Sequence, residues 1–171
     1  VTGMTGSGKT TTVAAIIDWI NAHKSYHILT IENPIEYVHV NKKSVISQRN
    51  MGDDVLTFND AVTGALRHDP DVIVIGEMRD PDTIRSAINA AATGHLVIST
   101  LHSNTASEVV NRIVSFFDPS EETLFAYNCV TVLNVLSASD LSLKLAEGVS
   151  LLLKLCIMTL RLSMMVFSLA I

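Results

Sequence analysis

Through the first two-thirds of the chain, apolar residues follow two alternating rhythms. Short β-branched runs of four or five residues alternate with longer segments whose apolar positions return every three or four residues. Val13, Ile16, Ile17 and Ile20 fall on one face of a helix predicted over Thr10–Ala22. His27–Ile31 predicts a short strand, and Ser44–Gln48 another. Asn59 is placed to cap a helix that reaches Arg67. Asp71–Ile75 is an apolar strand ending at Gly76, and Asp80-Pro81 opens a helix over Pro81–Ala92 with proline in its first turn. Leu96–Thr100 is a further strand, and Asn104 is placed to cap a helix to Phe116, which Asp118-Pro119 stops. Strands that are apolar throughout, alternating with helices, predict an α/β fold in which a mostly parallel sheet is covered on both faces by helices.

From about residue 121 the rhythm is lost. Leu141–Ile171 is rich in Leu, Ser and Met, with Gly148 as its turn punctuation. Lys154 and Arg161 interrupt this run, and the uncharged piece Leu162–Ile171 is too short to span a bilayer. No transmembrane segment is expected.

The length, 171 residues, suits a single domain with a core of its own. A net charge of -5 provides no general basic field for nucleic acid. Cys129 and Cys156 have neither metal-site spacing nor the density of a disulfide framework, and no signal peptide is visible, so a cytoplasmic protein is expected. The chain opens on Val1 with only Val1 and Thr2 ahead of the first glycine, which suggests a fragment that begins inside a domain and would be inactive as such.

Gly3-Met4-Thr5-Gly6-Ser7-Gly8-Lys9-Thr10 fits the phosphate-loop pattern GxxxxGK(S/T) in full. Glycines let the backbone turn its N–H groups toward an anion, and the helix that follows points its positive end at the same place. Lys9 can reach the β- and γ-phosphates of ATP, and the Thr10 hydroxyl can hold Mg²⁺. Gly3, Met4, Thr5, Gly6, Ser7, Gly8, Lys9, Thr10 and Thr11 are therefore the expected nucleotide contacts.

An acid at the C-terminal end of a buried parallel strand lies where such sheets bind ligands. Glu77, at the end of DVIVIGE, fits that place and can hold Mg²⁺ through water. A second acid-bearing segment, ILTIENPIEY, precedes it. Hydrolysis needs a group that orients and deprotonates the attacking water; Glu32 and Glu36 are both candidates, and periodicity does not choose between them. His95 and His102 frame the strand GHLVISTLH, where they could sense a phosphate or relay to a neighbouring subunit.

In order along the chain, GMTGSGKT, ILTIENPIEY, DVIVIGEMRD and GHLVISTLH resemble the type II secretion/type IV pilus ATPase superfamily, with its Walker A, Asp-box, Walker B and His-box motifs. His39-x-x-Lys42-Lys43-Ser44, Gln48-Arg49, Arg67-x-Asp69-Pro70-Asp71 and Gly76-Glu77-Met78-Arg79-Asp80 look like its pilus-retraction branch. The resemblance runs from Val1 to about Glu122. It implies a RecA-like P-loop domain over 1–122 and a Mg²⁺-dependent ATPase working as a homo-hexamer, with ATP between subunits. It also implies an inner-membrane platform protein as partner and a peripheral place at the inner membrane. Glu36 becomes the catalytic Glu of the Asp box, Glu77 the Walker B Glu, and Lys9 the phosphate-loop cation. His95 and His102 fall on the His box, with Arg112 just beyond, and all three are implied at the nucleotide. Asn33 departs from the pattern, standing where the family carries Asp.

Residues 123–171 read as an out-of-frame tail. Codons can be chosen for Phe125–Leu160 so that a shifted frame gives a helix ending in ISQRL and then a Gly-rich turn, which resembles the family's own continuation. The expected function is ATP-driven pilus retraction. Assembly or type II secretion ATPases are the rival readings within the superfamily. A non-catalytic nucleotide-binding scaffold, motivated by Asn33, is the rival from another class. A nucleic-acid motor lacks the aromatic-basic strip it would need.

Overall fold

A computed structural model describes residues 1–103 and 106–118. The expected tail over 123–171, its two cysteines and the capping role of Asn104 lie outside the described residues. The elements are α1 (Lys9–His23), β1 (His27–Glu32), β2 (Val45–Asn50), α2 (Phe58–Ala65), β3 (Val72–Ile75), α3 (Pro81–Ala92), β4 (Leu96–Ser99) and α4 (Ala106–Val114), with a 3₁₀ turn at Leu66–His68.

All four strands are parallel, in the order β2-β1-β3-β4. Ile28 lies opposite both Ile46 and Val72, and Val72 opposite Leu96, which fixes the register across the sheet. A further parallel bridge joins Thr2 to Leu101, so the segment entering the phosphate loop runs beside the end of β4.

The two faces of the sheet are buried by different helices, as the unbroken apolar runs require. Val13, Ile17 and Ile20 of α1 pack on Ile28, Val72 and Val74. On the other face Leu29, Ile31, Ile73 and Ile75 meet Ala61, Val62 and Ala65 of α2 and Ala87 and Ala90 of α3. The alanines let these helices approach closely. Ile84, Leu101, Val109, Ile113 and Phe117 form a third cluster that seats α4. Among the described residues no helix is long and apolar enough to cross a membrane.

Helix α3 begins where the sequence predicts, because the Asp80 side chain accepts from the Thr83 N–H at 2.7 Å and Pro81 needs no partner for its nitrogen. Helix α2 differs. Its cap is Thr57, whose hydroxyl accepts from the Asp60 N–H at 3.0 Å, and Asn59 lies inside the first turn, accepting from the Ser86 hydroxyl. Thr57 already has the extended backbone of a cap, so two residues of helix come before the expected start.

Candidate active site

The phosphate loop joins the bridge residue Thr2 to α1. Gly6 and Gly8 have φ of 78° and 85°, a region that side chains with a Cβ avoid. A Cβ at either position would meet nothing within 4 Å, so backbone conformation, rather than space, demands glycine there. The first turn of α1 has no side-chain cap and no acid, which leaves its N–H groups and positive end directed to the loop. Met4, Thr5, Gly6, Ser7 and Thr11 are exposed around this concavity, and Thr10 is half-buried.

Lys9 is 9% exposed, and its ammonium donates to the carbonyls of Gly3 at 3.0 Å and Met4 at 2.9 Å. Burial holds its pKa below the ordinary 10.5, with the charge of Glu77 opposing the shift. The lysine is thus folded back onto its own loop, within the field of the acid expected to work with it.

Glu77 follows β3 at its C-terminal end. The turn is tight: a Cβ on Gly76 would come within 3.2 Å of the Ile31 carbonyl oxygen, and the Gly76 N–H donates to that oxygen at 2.8 Å. Thr100 braces the same turn, its hydroxyl donating to the Gly76 carbonyl at 2.6 Å. The Glu77 carboxylate, 15% exposed, receives Arg79 Nε at 2.6 Å on Oε2 and has His102 Nε2 at 3.8 Å from the same oxygen. Next to these groups a cleft of about 550 Å³ opens between the loop and α4, lined by Gly3, Met4, Thr5, His102, Ser103, Glu108 and Arg112.

The two acids after β1 differ in their engagements. Glu32 Oε1 accepts from the Thr30 hydroxyl at 2.7 Å and the Gln48 amide at 3.1 Å, which ties it to the sheet. Glu36 is exposed and makes no hydrogen bond among the described residues. Its neighbour Tyr37 lies with its hydroxyl 3.1 Å from the Thr11 hydroxyl, which brings this loop to the start of α1.

The histidines separate. His102 leaves the C-terminal end of β4 beside Glu77, as expected. His95 precedes β4, and seven residues at about 3.3 Å each put it roughly 20 Å away at the opposite edge of the sheet. There its Nδ1 lies 3.0 Å from the Ala90 carbonyl and 3.1 Å from the Thr93 hydroxyl, at the end of α3. The structure therefore does not bring His95 to the phosphate loop of its own chain, because a parallel strand presents only its C-terminal end there. Arg112 lies on the cleft wall, its guanidinium 5.9 Å from the Phe116 ring centre. Asn33 is exposed. Thr100, Arg79, Ser103 and Glu108 also belong to the site. Arg79 and Thr100 lie within the sequence segments DVIVIGEMRD and GHLVISTLH, whereas Ser103 and Glu108 lie outside them.

The donor set suits a nucleotide with a hard cation: a buried ammonium and free helix N–H groups for phosphate, and hydroxyl and carboxylate oxygens at Thr10 and Glu77 for magnesium. Among the described residues no cluster of three or more His, Cys, Asp or Glu side chains forms a metal site of its own.

The comparisons agree with this geometry. The chain is 55% identical to "Type IV pilus retractation ATPase PilT" of Pseudomonas aeruginosa over 122 residues, 71% of this chain and 35% of that one. It is 56% identical to a twitching motility protein of Neisseria gonorrhoeae over 124 residues, 72% of this chain and 33% of the relative. The chain thus spans about a third of the length of these relatives. The crystal structure of the pilus retraction motor PilT with bound ADP superposes with a TM-score of 0.75 at 53% identity, covering 77% of this chain and 38% of that one. The fold is accordingly the α/β RecA-like one. The family described as type II/IV secretion system protein matches residues 1–149, and the chain belongs to that family.

Proposed function

We propose that this chain is the nucleotide-binding core of a magnesium-dependent ATPase motor that drives retraction of type IV pili. The observation that carries the reading is convergence. The phosphate loop with Lys9, the Glu77 turn and the Glu36 loop all meet at the C-terminal edge of one parallel sheet, where α/β folds bind ligands. The names of the relatives at 55% and 56% identity favour retraction over the other activities of the family.

In this reading the Lys9 ammonium exchanges the Gly3 and Met4 carbonyls for the β- and γ-phosphate oxygens, which are stronger, charged acceptors. Loop N–H groups and the N-terminus of α1 hold the remaining phosphate charge. Glu36, unengaged by the scaffold, takes the proton from the attacking water as that water's oxygen bonds to the γ-phosphorus and the bond to ADP breaks. Magnesium, when bound, neutralises phosphate charge, with Thr10 and Glu77 as its protein-side oxygens. His102 and Arg112 stand at the cleft where the terminal phosphate is sensed. His95, at the far edge, serves contact with a neighbouring subunit of a homo-hexamer. The motor acts at the cytoplasmic face of the inner membrane on a pilus platform protein.

The test is complementation together with biochemistry. The full-length gene product should hydrolyse ATP only with Mg²⁺ present and should restore twitching to a strain lacking its own retraction ATPase. Turnover without restored twitching would leave an ATPase of another direction or cargo, and absence of turnover would sink the catalytic reading.

A further inference from the structure

Glu36 has no side-chain partner among the described residues, yet the backbone on either side of it is held. On its N-terminal side the Ile35 N–H donates to Asn50 Oδ1 at 3.2 Å. On its C-terminal side the Tyr37 carbonyl accepts from Gln48 Nε2 at 2.9 Å. Gln48 goes further: its Oε1 accepts from the His39 N–H at 2.8 Å, and its Nε2 also donates to Glu32 Oε1 at 3.1 Å. Gln48 and Asn50 are two apart on the edge strand β2, so their side chains share one face. In register they lie opposite Thr30 and Glu32 of β1.

We propose that Gln48 and Asn50 are positioning residues that clamp the loop around Glu36, leaving its carboxylate free but its backbone fixed. The inference rests on Glu36 being the base of the proposed reaction. A base must lie within hydrogen-bond reach of the water it activates, and misplacement by about 1 Å can cost on the order of 10²-fold. A short loop bearing an unpartnered acid would wander without such ties. Here the amides of one strand supply them, using backbone groups that a loop otherwise leaves to solvent. Both clamp residues are uncharged, so they fix the loop without placing a charge beside the acid.

The test uses the full-length gene product, with steady-state ATP turnover and binding of a fluorescent ADP analogue as separate readouts. Gln48→Met keeps the length of the side chain and removes its hydrogen bonds. It should lower kcat about 10-fold or more while KM and ADP affinity stay within about 2-fold. Asn50→Ala should show the same split, and it carries the test alone if Gln48→Met does not fold. Adding either change to Glu36→Gln should cost little beyond Glu36→Gln itself, because the clamp acts only through that residue. Wild-type kcat in both clamp variants, loss of ADP affinity in step with kcat, or full additivity with Glu36→Gln would each overturn the proposal. If Glu36→Gln itself turns over normally, the base assignment fails and the clamp with it. An inactive Glu36→Gln beside fully active clamp variants condemns the clamp alone.

Discussion

The Tyr37 hydroxyl lies 3.1 Å from the Thr11 hydroxyl, joining the residue after Glu36 to the second residue after Lys9. Through this contact the loop carrying the proposed base is referenced to the helix that follows the phosphate loop. Tyr37→Phe removes it while keeping the ring. One exposed neutral hydrogen bond contributes about 0.5–1.5 kcal/mol, so kcat should fall roughly 2- to 10-fold with ADP affinity nearly unchanged. A stopped assay at saturating ATP checks the first part and fluorescent-ADP titration the second.

Lys9→Ala should abolish turnover and strongly weaken nucleotide binding, since the only buried ammonium of the loop is lost. The lowered pKa of Lys9 adds a pH signature. The nucleotide-free protein loses this proton below the ordinary 10.5, so ADP affinity should begin to fall with rising pH before that value. In the same window an unfolded chain still holds the proton, so the unfolded state binds more protons and the nucleotide-free fold gains stability as pH rises. Calorimetric ADP titrations at rising pH should show the decline setting in below 10.5, and Lys9→Ala, weak throughout, should lack it.

Glu36→Gln should bind ATP and fail to hydrolyse it, with a loss of about 10²–10⁴-fold in turnover. Glu32→Gln keeps an acceptor for Thr30 and Gln48 and should lose far less. Single-turnover rates separate the two, and normal hydrolysis by Glu36→Gln alongside an inactive Glu32→Gln would reverse the assignment.

Stability should depend on one buried polar residue of α1. Asn21 is fully buried; its side chain donates to the Val40 carbonyl at 2.8 Å and accepts from the Lys42 N–H at 2.9 Å. Asn21→Leu fills similar space but leaves those two backbone groups unpaired, at a cost of about 1–3 kcal/mol for each that water cannot reach. Denaturant titration should show a lower midpoint, and the loop ending at Ser44 should lose amide-exchange protection first.

Residues 123–171 are proposed to be out of frame. An independent read of the coding DNA should restore a helix ending in ISQRL and a Gly-rich turn, whereas confirmation of the printed frame would end the proposal.

The fold was legible in the sequence where one residue decides an element. Asp80-Pro81 fixed the start of α3, because cap and first-turn proline act locally. The unbroken apolar run Val72–Ile75 foretold a strand buried on both sides. The cap of α2 is equally visible in Thr57-Phe58-Asn59-Asp60, a Thr followed three residues later by an acid, yet Asn59 competes with it because asparagine is also a good capping residue. His95 and His102 look equivalent in the sequence because a strand reads alike at both ends until its polarity in a parallel sheet is known. The contacts of Thr100, Gln48 and Asn50 could not be read from the sequence, although Gln48 and Thr100 fall within segments that resemble the family. Their partners Gly76, Tyr37 and Ile35 lie 11 to 24 residues away, and such contacts leave no period in the sequence.

The run from Thr100 to Ser103 is bonded on both flanks. Toward β3, Thr100 donates to the Gly76 carbonyl and accepts from the Met78 N–H. Toward the phosphate loop, Leu101 donates to the Val1 carbonyl and Ser103 accepts from the Thr2 hydroxyl. Among the described residues no backbone hydrogen bond joins the acid-bearing turn to the phosphate loop; each is levelled against this run, as two instruments are levelled against one bench. A displacement of the run would shift both reference points together. The separation of cation and acid is thus set through one shared neighbour.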